Sequence, residues 1–487
     1  MLYYNILYYV ILYSVIANRG DNVFFGRKRE LDELSHLYST DKFQCVIVYG
    51  RRRVGKTALI TEFIKDKEAV YFTGQETNAK ENLENLSNSI FALSRDFADA
   101  SPQFNNYKNA LEAVFSLAVT RRVVFAIDEY PYLAASYNGV SSLLQTCIDK
   151  YKDSSKLFLI LCGSSLSFME NQVLGYKSPL FGRRTAQFRI MPFEYEQTRE
   201  YFSDSFNAQD SAILYGITGG IPHYMSFIDR QSSVADNIKT NFLKQSGYLF
   251  EEPVNLIKQE CREPAQYNAI IKAIAYGASR LSEISQKVGL ETALCYTYIS
   301  KLISIGIIKK ECPFRNETSK KTIYRIDDSM FRFWYRFIPD AMSLIQRNEQ
   351  ELSYQRIEPQ LSSFMGPVFE EICKQYLWMQ NAAGKTPVSF TDAGRWWGNN
   401  PKKREECEID IIADDKEDAI FAECKWTNEI VGMGVLDKLI ENSELLYSRQ
   451  KYYYLFAKTG FSADLQLKAA QSENVFLTCF ADMFKLT

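Results

Sequence analysis

Histidine is almost absent: the 487 residues contain only His36 and His223. A catalytic triad relying on imidazole, or a metal held by several imidazoles, has almost nothing to be built from. Cysteines at zinc or redox spacing are absent as well. Ten cysteines are scattered along the chain without one C-x-x-C pair. That argues against a zinc ribbon and a disulfide scaffold, and for reduced thiols in a cytoplasmic protein. Neither sign of charge dominates. A formal net charge of -2 argues against a globally basic nucleic-acid binder and leaves room for local basic patches. Chemistry in this chain must rest on carboxylates, Lys, Arg and bound metal.

Long apolar runs are missing too, with one exception. MLYYNILYYVILYSVIA, residues 1–17, is about one membrane crossing long. It lacks a basic leading region and a small-residue cleavage site, so it makes a poor signal peptide. The expectation is a packed or disordered extension, or a misassigned start. A membrane anchor and a cleaved signal compete with it. Nothing later resembles a second span, so no clear membrane partner is expected. The length predicts two to four domains.

What is present becomes legible from Phe24. FFGRKRELDELSHLY spaces Leu31, Leu34 and Leu37 as a helix does. The apolar strand QCVIVYG then runs into GRRRVGKTALITEFI. Gly50, Gly55, Lys56 and Thr57 complete the pattern G-x-x-x-x-G-K-[ST] between a strand and an apolar helix. Backbone N–H groups from Gly50 through Arg51, Arg52, Arg53, Val54 and Gly55 would form an anion nest at a helix N-terminus. Lys56 would reach the β/γ-phosphates of ATP and Thr57 would ligate Mg²⁺. The side chains of Arg51, Arg52 and Arg53 read as a solvated basic loop.

RRVVFAIDEYPYL is an apolar strand ending in Asp128 and Glu129. Asp128 would hold Mg²⁺ through water, and Glu129 would polarise the attacking water. KLFLILCGSS ends in Ser164 and Ser165, where a polar side chain can sense a γ-phosphate or simply begin a turn. Arg183 and Arg184, in SPLFGRRTAQFRIMPF, precede another strand. An arginine there can act as a finger on a neighbouring subunit's phosphate or in cis. ITGGIPHYM, with Gly219, Gly220 and Pro222, reads as a lid segment, and His223 as a lid or structural contact.

FGR…EL…L, GRRRVGKT, FAIDEY, LILCGSS, FGRRT and GGIP, in this order, resemble the archaeal-type ATPase family, one of the AAA+/STAND-like P-loop NTPases. The resemblance runs from Phe24 to about residue 230. It implies ATP on Gly50 to Thr57, Asp128 and Glu129 as the Mg²⁺ and water residues, and an arginine finger through which subunits would associate, Arg183 first, with Arg184 the alternative.

From Tyr267 the pattern changes to short amphipathic helices, with Ile270, Ile271, Ile274, Leu281, Ile284, Val288, Tyr298, Leu302 and Ile305 as a small core. A helix over 281–288, a turn near Gly289 and a helix from about Thr292 suit a helix-turn-helix. Ile307–Lys310 and Thr322–Ile326 would be the strands of a wing, giving a winged helix. Its recognition helix, ETALCYTYISKL, has Lys301 nearly alone as a cation, which is thin for a DNA reader. The loop carrying Lys309, Lys310, Arg315, Lys320 and Lys321 is basic enough to touch phosphates. MFRFWYRFI is too aromatic for a free linker and is expected to pack between domains.

Beyond about Leu352, FMGPVFEEICKQYLW is helical and carries Glu370 and Glu371 beside its apolar stripe. GRWWG follows, then the strands CEIDIIADD and IFAECKW, a helix with Leu436 and Leu439, and two further strands. Glu423 and Lys425 share one face of their strand. If the strands are neighbours, Asp410 joins them. Burying these charges together is costly without partners, and a divalent cation between Asp410 and Glu423 would repay it. Oxygen ligands alone suit Mg²⁺ or Mn²⁺. Lys425 would orient water or stabilise a pentavalent phosphate, and Glu370 or Glu371 would complete the site. An internal salt bridge of Lys425 with Glu423 or Asp410 is the competing reading.

This D…E-x-K arrangement resembles the PD-(D/E)XK nuclease superfamily. GPVFEE, GRWWG, EIDII and ECKW look like the C-terminal domain fused to archaeal-type ATPases. The expected architecture is α/β: extension 1–20, P-loop ATPase core 21–230 with a parallel sheet, helical lid or connector 231–265, winged helix 266–345 and a restriction-endonuclease-like mixed α/β domain 346–487. The expected function is ATP-driven DNA processing or defence on double-stranded DNA. A nucleotide-switched regulator or scaffold binding DNA or protein without cutting is the alternative.

Overall fold

The computed structural model describes residues 24–93, 103–316, 321–401 and 403–484. The expectations for residues 1–20 and for Lys320 lie outside the described residues. Among the described residues no helix is long and apolar enough to cross a membrane. All ten cysteines are free thiols.

The chain divides into two compact units, Met1–Pro192 with Ile221–Ser226, and Phe193–Gly220 with Phe227–Thr487. The first boundary falls before residue 230 because Tyr195 and the helix Ala208–Thr218 pack with residues far downstream. Tyr195 N–H donates to Gln375 at 2.9 Å, and a Cβ on Gly216 would meet Val368 and Met365.

The first unit is built on a five-stranded sheet. In chain order the elements used below are β1 (Gln44–Tyr49), α1 (Lys56–Ile64), β2 (Ala69–Thr73), β3 (Val124–Asp128), β4 (Phe158–Gly163) and β5 (Ala186–Arg189). The strand order is β2-β3-β4-β1-β5, with all pairs parallel. Every residue of β1, β3 and β4 is buried, as expected for parallel strands covered on both faces. This order puts β4 between β1 and β3. Their three C-terminal ends therefore emerge side by side on one edge.

The second unit begins with helices and ends in a mixed sheet. Helices α2 (Pro264–Ala275), α3 (Leu281–Val288) and α4 (Thr292–Ser304) precede an antiparallel hairpin, β6 (Ile308–Glu311) with β7 (Ile323–Ile326). Helix α5 (Ser329–Ile345) buries Phe331, Phe333, Trp334, Tyr335 and Phe337, so the aromatic run is helix core. Helix α6 (Gln350–Ala382) is 33 residues long and continues through Pro359 and Pro367. It does not start a separate domain at 346. It packs on α5 and the helix Val234–Phe242 as well as on β10 of the sheet beyond. The sheet comprises β8 (Asp392–Asn400), β9 (Glu405–Asp414), β10 (Ala419–Lys425), β11 (Lys451–Ala457) and β12 (Val475–Cys479), in the order β12-β11-β10-β9-β8. Strands β8, β9 and β10 pair antiparallel; β10, β11 and β12 pair parallel. Helix α7 (Met433–Ser443) covers one face, burying Leu436 and Leu439.

Candidate functional site

The phosphate loop follows directly from β1. Gly50 is required by close approach: a Cβ there would stand 2.3 Å from the Ile190 carbonyl oxygen. Gly55 caps α1 with φ at 89°, a left-handed conformation that favours glycine. Lys56 is 6% exposed, and its Nζ donates to the Arg51 carbonyl at 2.9 Å. Burial pushes the Lys56 ammonium below its ordinary pKa, while Cys162, Glu129 and Asp128 work against that shift. An ammonium held this way gains most from an anion brought to the loop.

Thr57 Oγ donates to Asp128 Oδ2 at 2.7 Å. Tyr71 donates to the same oxygen at 2.8 Å, and the Glu129 N–H donates to Oδ1 at 2.9 Å. A hydroxyl beside a buried carboxylate at a strand end fits a hexacoordinate Mg²⁺ that keeps water and phosphate ligands. Glu129 sits at φ 47°, an unusual conformation for a non-glycine residue that aims its carboxylate at β4. There Ser164 Oγ donates to both carboxylate oxygens, at 3.0 and 2.9 Å. The strand order explains the meeting, because Ser164 leaves the sheet between the loop and Asp128.

The arginines of the loop are not simply solvated. Arg52 donates to the Tyr132 hydroxyl at 2.6 Å, and Arg53 lies 5.8 Å from the Tyr224 ring centroid. Val54 is buried, and its carbonyl accepts from Arg27 at 3.1 Å. Arg27 holds the phosphate loop from outside the motif, a contact the sequence did not reveal. It is 6% exposed, pairs with Glu30 at 3.2 Å and also donates to the Met191 carbonyl at 2.5 Å. It thereby ties the phosphate loop to the segment after β5. Its only sequence signal was the FGR triplet. Arg27→Ala should cost about 2–4 kcal/mol, because it strands the buried Val54 carbonyl and removes the Glu30 and Met191 contacts. The check is a fall in melting temperature of about 5–10 °C together with an ATP affinity about tenfold weaker.

His223 donates its N–H to the Arg53 carbonyl at 3.4 Å. Burial, with the Arg53 charge adding to it, pushes its imidazole down to about 4. The folded pKa is thus below the unfolded one, so stability is lost as pH falls from about 6.5 toward 4. His223→Gln should remove that part of the loss. Its melting temperature relative to the native chain should rise as pH falls through this window.

Arg183 does not extend as a finger. It is engaged within its own chain, with Nε and Nη2 on Asp149 at 2.9 and 2.6 Å and Nη1 on the Pro179 carbonyl at 2.9 Å. To reach a phosphate it would have to leave this bidentate pair.

In the second unit, β9 and β10 pair from Ala419↔Asp414 to Ala422↔Ile411, and the ladder stops there. Beyond its end, the Cys424 N–H donates to Asp410 Oδ2 at 2.9 Å. Asp410 is 9% exposed. Glu423 and Lys425 do share a face, and they pair at 2.5 Å. Cys424 points the other way and meets Cys373 of α6. Burial, then Glu423 and Glu370, holds the Asp410 carboxyl well above the usual carboxylate range. Burial also raises Glu370, against the opposing pull of Arg395 and Arg325. Burial works to lower Lys425, but Glu423, Asp410 and Cys424 together outweigh it and the net shift is upward.

Among the described residues no three His, Cys, Asp or Glu side chains stand together as ligands for a metal ion. Glu370 feels Arg395 and Arg325 as well as Glu408 and Glu423. Glu371 pairs with Lys374 at 2.7 Å. What remains, Asp410 and Glu423, still fits Mg²⁺, which commonly takes one or two carboxylates and completes its shell with water and substrate phosphate. A β-bulge between Gly394 and Trp396 turns Arg395 out of register, and it pairs with Glu408 at 2.5 Å. Two cations of the basic hairpin loop are neutralised within the chain. Lys309 pairs with Glu311 at 2.9 Å, and Arg315 pairs with Asp414.

Against known proteins, a family described as an ATPase domain predominantly from Archaea matches residues 24–228, and one described as archaeal and bacterial proteins of unknown function matches residues 334–438. The protein MJECL04 of Methanocaldococcus jannaschii is 30% identical over 407 residues, 83% of this chain and 88% of its own length. The ATP-binding protein MJ0423 of the same organism is 46% identical over 46 residues, 9% of this chain and 78% of that one. The Walker-type ATPase PABY2304 of Pyrococcus abyssi is similar in structure at a TM-score of 0.51 and 20% identity, over 64% of this chain and 96% of that one. That last likeness shows the fold alone.

Proposed function

This chain belongs to the archaeal ATPase family, and from that premise we propose a two-centre enzyme: an ATP-hydrolysing P-loop unit joined to a Mg²⁺-dependent phosphodiesterase acting on DNA. The ATPase part is a property of the family. In it the amides from Gly50 to Gly55 receive the phosphates and Lys56 neutralises them. Thr57 and Asp128 would hold Mg²⁺, Glu129 orients water, and Ser164 links that water to the phosphate.

One observation carries the second centre: Asp410, Glu423 and Lys425 converge at the open end of β9 and β10, where Glu423 and Lys425 line a cavity of about 790 Å³. Asp410 and Glu423 would hold the cation, which when bound supplies Lewis acidity to a phosphate. Lys425 then leaves Glu423 and stabilises the charge that builds on phosphorus oxygens. A winged-helix reading of α2–α4 with the β6–β7 hairpin fits the helix order. The experiment is incubation of the full chain with labelled DNA and Mg²⁺ or Mn²⁺. Cleavage products that require Lys425 are expected; no product with either metal ends the nuclease reading.

A non-cutting, nucleotide-switched scaffold is favoured by one specific feature. The exposed residues of α4 include Thr292, Ala293, Leu294, Tyr296 and Thr297, with no cation among them, which is poor equipment for reading duplex DNA.

A further inference from the structure

The β6–β7 hairpin is fastened to the second sheet at several points. Phe314, in the hairpin loop, is 9% exposed and belongs to the core formed by Ile409, Ile412 and Phe421. Its N–H donates to the Arg395 carbonyl at 2.9 Å, inside the bulge of β8. The Trp397 indole N–H donates to the Lys321 carbonyl at 3.1 Å. Arg315 pairs with Asp414. A cavity of about 790 Å³ is lined from both sides of this junction. Arg280 and Lys321 come from the helical and hairpin part, while Arg395, Trp397, Lys425 and Lys438 come from the sheet and α7. Five cations line it against three carboxylates, Glu406, Glu408 and Glu423. One of these pairings is loose, with Arg280 and Glu406 at 3.7 Å.

We propose that this cavity binds single-stranded nucleic acid, with Arg280 and Lys321 as substrate-binding residues contributed by the helical and hairpin part. Phosphates are held by Arg280, Lys321, Arg395 and Lys438, a base stacks on Trp397, and the phosphodiester is delivered to Lys425. The inference rests on reading Asp410, Glu423 and Lys425 as a phosphodiester site, and it names the substrate of that site.

Size and composition decide for a strand over a duplex. The volume is that of a small-ligand pocket, about 300–1,000 Å³, which seats one or two nucleotides. Helix α4, the element that would enter a major groove, exposes no cation among its described outward residues. Cations tracking a backbone beside an aromatic ring are the pattern by which single strands are held.

The test is fluorescence anisotropy of a labelled thymidine oligonucleotide of about 12 nucleotides, with a blunt duplex as comparison. It uses the full chain in EDTA, so that binding is read without cleavage. The native chain should bind the single strand at least about tenfold more tightly than the duplex. Trp397→Leu should weaken single-strand binding by about 5- to 100-fold. The double variant Arg280→Ala/Lys321→Ala should weaken it and flatten its salt dependence by about one unit of slope per cation removed. ATP hydrolysis should be unchanged in all of them. Equal affinity for strand and duplex, or variants as tight as the native chain, overturns the proposal. A chain that binds the strand in this way yet cuts no DNA would sink the nuclease reading alone. A chain that cuts duplex with Arg280 and Lys321 both replaced would sink this inference alone.

Discussion

Lys56→Ala should abolish measurable ATP binding, a loss of about 100-fold or more. Lys56 is the one ammonium in the phosphate loop; it is 6% exposed and donates to a neutral carbonyl at 2.9 Å. Its energetic return comes when phosphate arrives, and truncating one side of a buried charge pair costs about 2–5 kcal/mol. The folded chain should not suffer. Burial already depresses the Lys56 pKa, so keeping the ammonium charged is a cost to the empty protein. Isothermal titration with ATP should therefore show no binding, beside a melting temperature equal to or above that of the native chain. Affinity within about threefold of native would mean that the loop holds phosphate through its amides alone.

Lys425→Ala should remove metal-dependent DNA cleavage by about 100- to 1,000-fold, the usual cost of deleting one group aimed at transition-state charge. ATP hydrolysis should continue at the native rate, since Lys425 lies in the second unit. Lys425→Arg should not rescue, because a planar guanidinium cannot replace a compact ammonium at one oxygen. The variant leaves Glu423 next to a buried Asp410 without its 2.5 Å partner. For that reason Lys425→Ala/Glu423→Gln serves as the structural control: it should fold like the native chain and remain inactive. Gel analysis of labelled products and a coupled phosphate assay on the same preparations separate the two activities.

How much of this was legible in the sequence differs by residue. The phosphate loop and Asp128 were, because a continuous apolar strand, a glycine-bounded loop and an amphipathic helix form a motif whose parts are adjacent in the chain. Ser164 was legible only as a strand end; its contact with Glu129 depends on β4 inserting between β1 and β3, which spacing alone does not reveal. Arg27 was not legible. An arginine before a charged helix looks solvated, and its burial arises from the fold bringing Val54 and Met191 to it. Helix α6 was recognised only over residues 364–378; its first half, which continues through Pro359, was not read as helix. The convergence of Asp410, Glu423 and Lys425 followed from strand alternation. The position of Glu370 did not, because a helix's rotation about its axis sets which charges it meets. The bulge at Arg395 was equally hidden, and with it the attachment of the hairpin.

The phosphodiesterase activity depends most directly on whether the second unit holds a metal. The measurement is the number of Mn²⁺ ions bound per chain, read by electron paramagnetic resonance in the absence of nucleotide. One bound ion is predicted, retained in Thr57→Ala and lost in both Asp410→Asn and Glu423→Gln. No bound ion in the native chain, or an ion that survives both carboxylate substitutions, would contradict it.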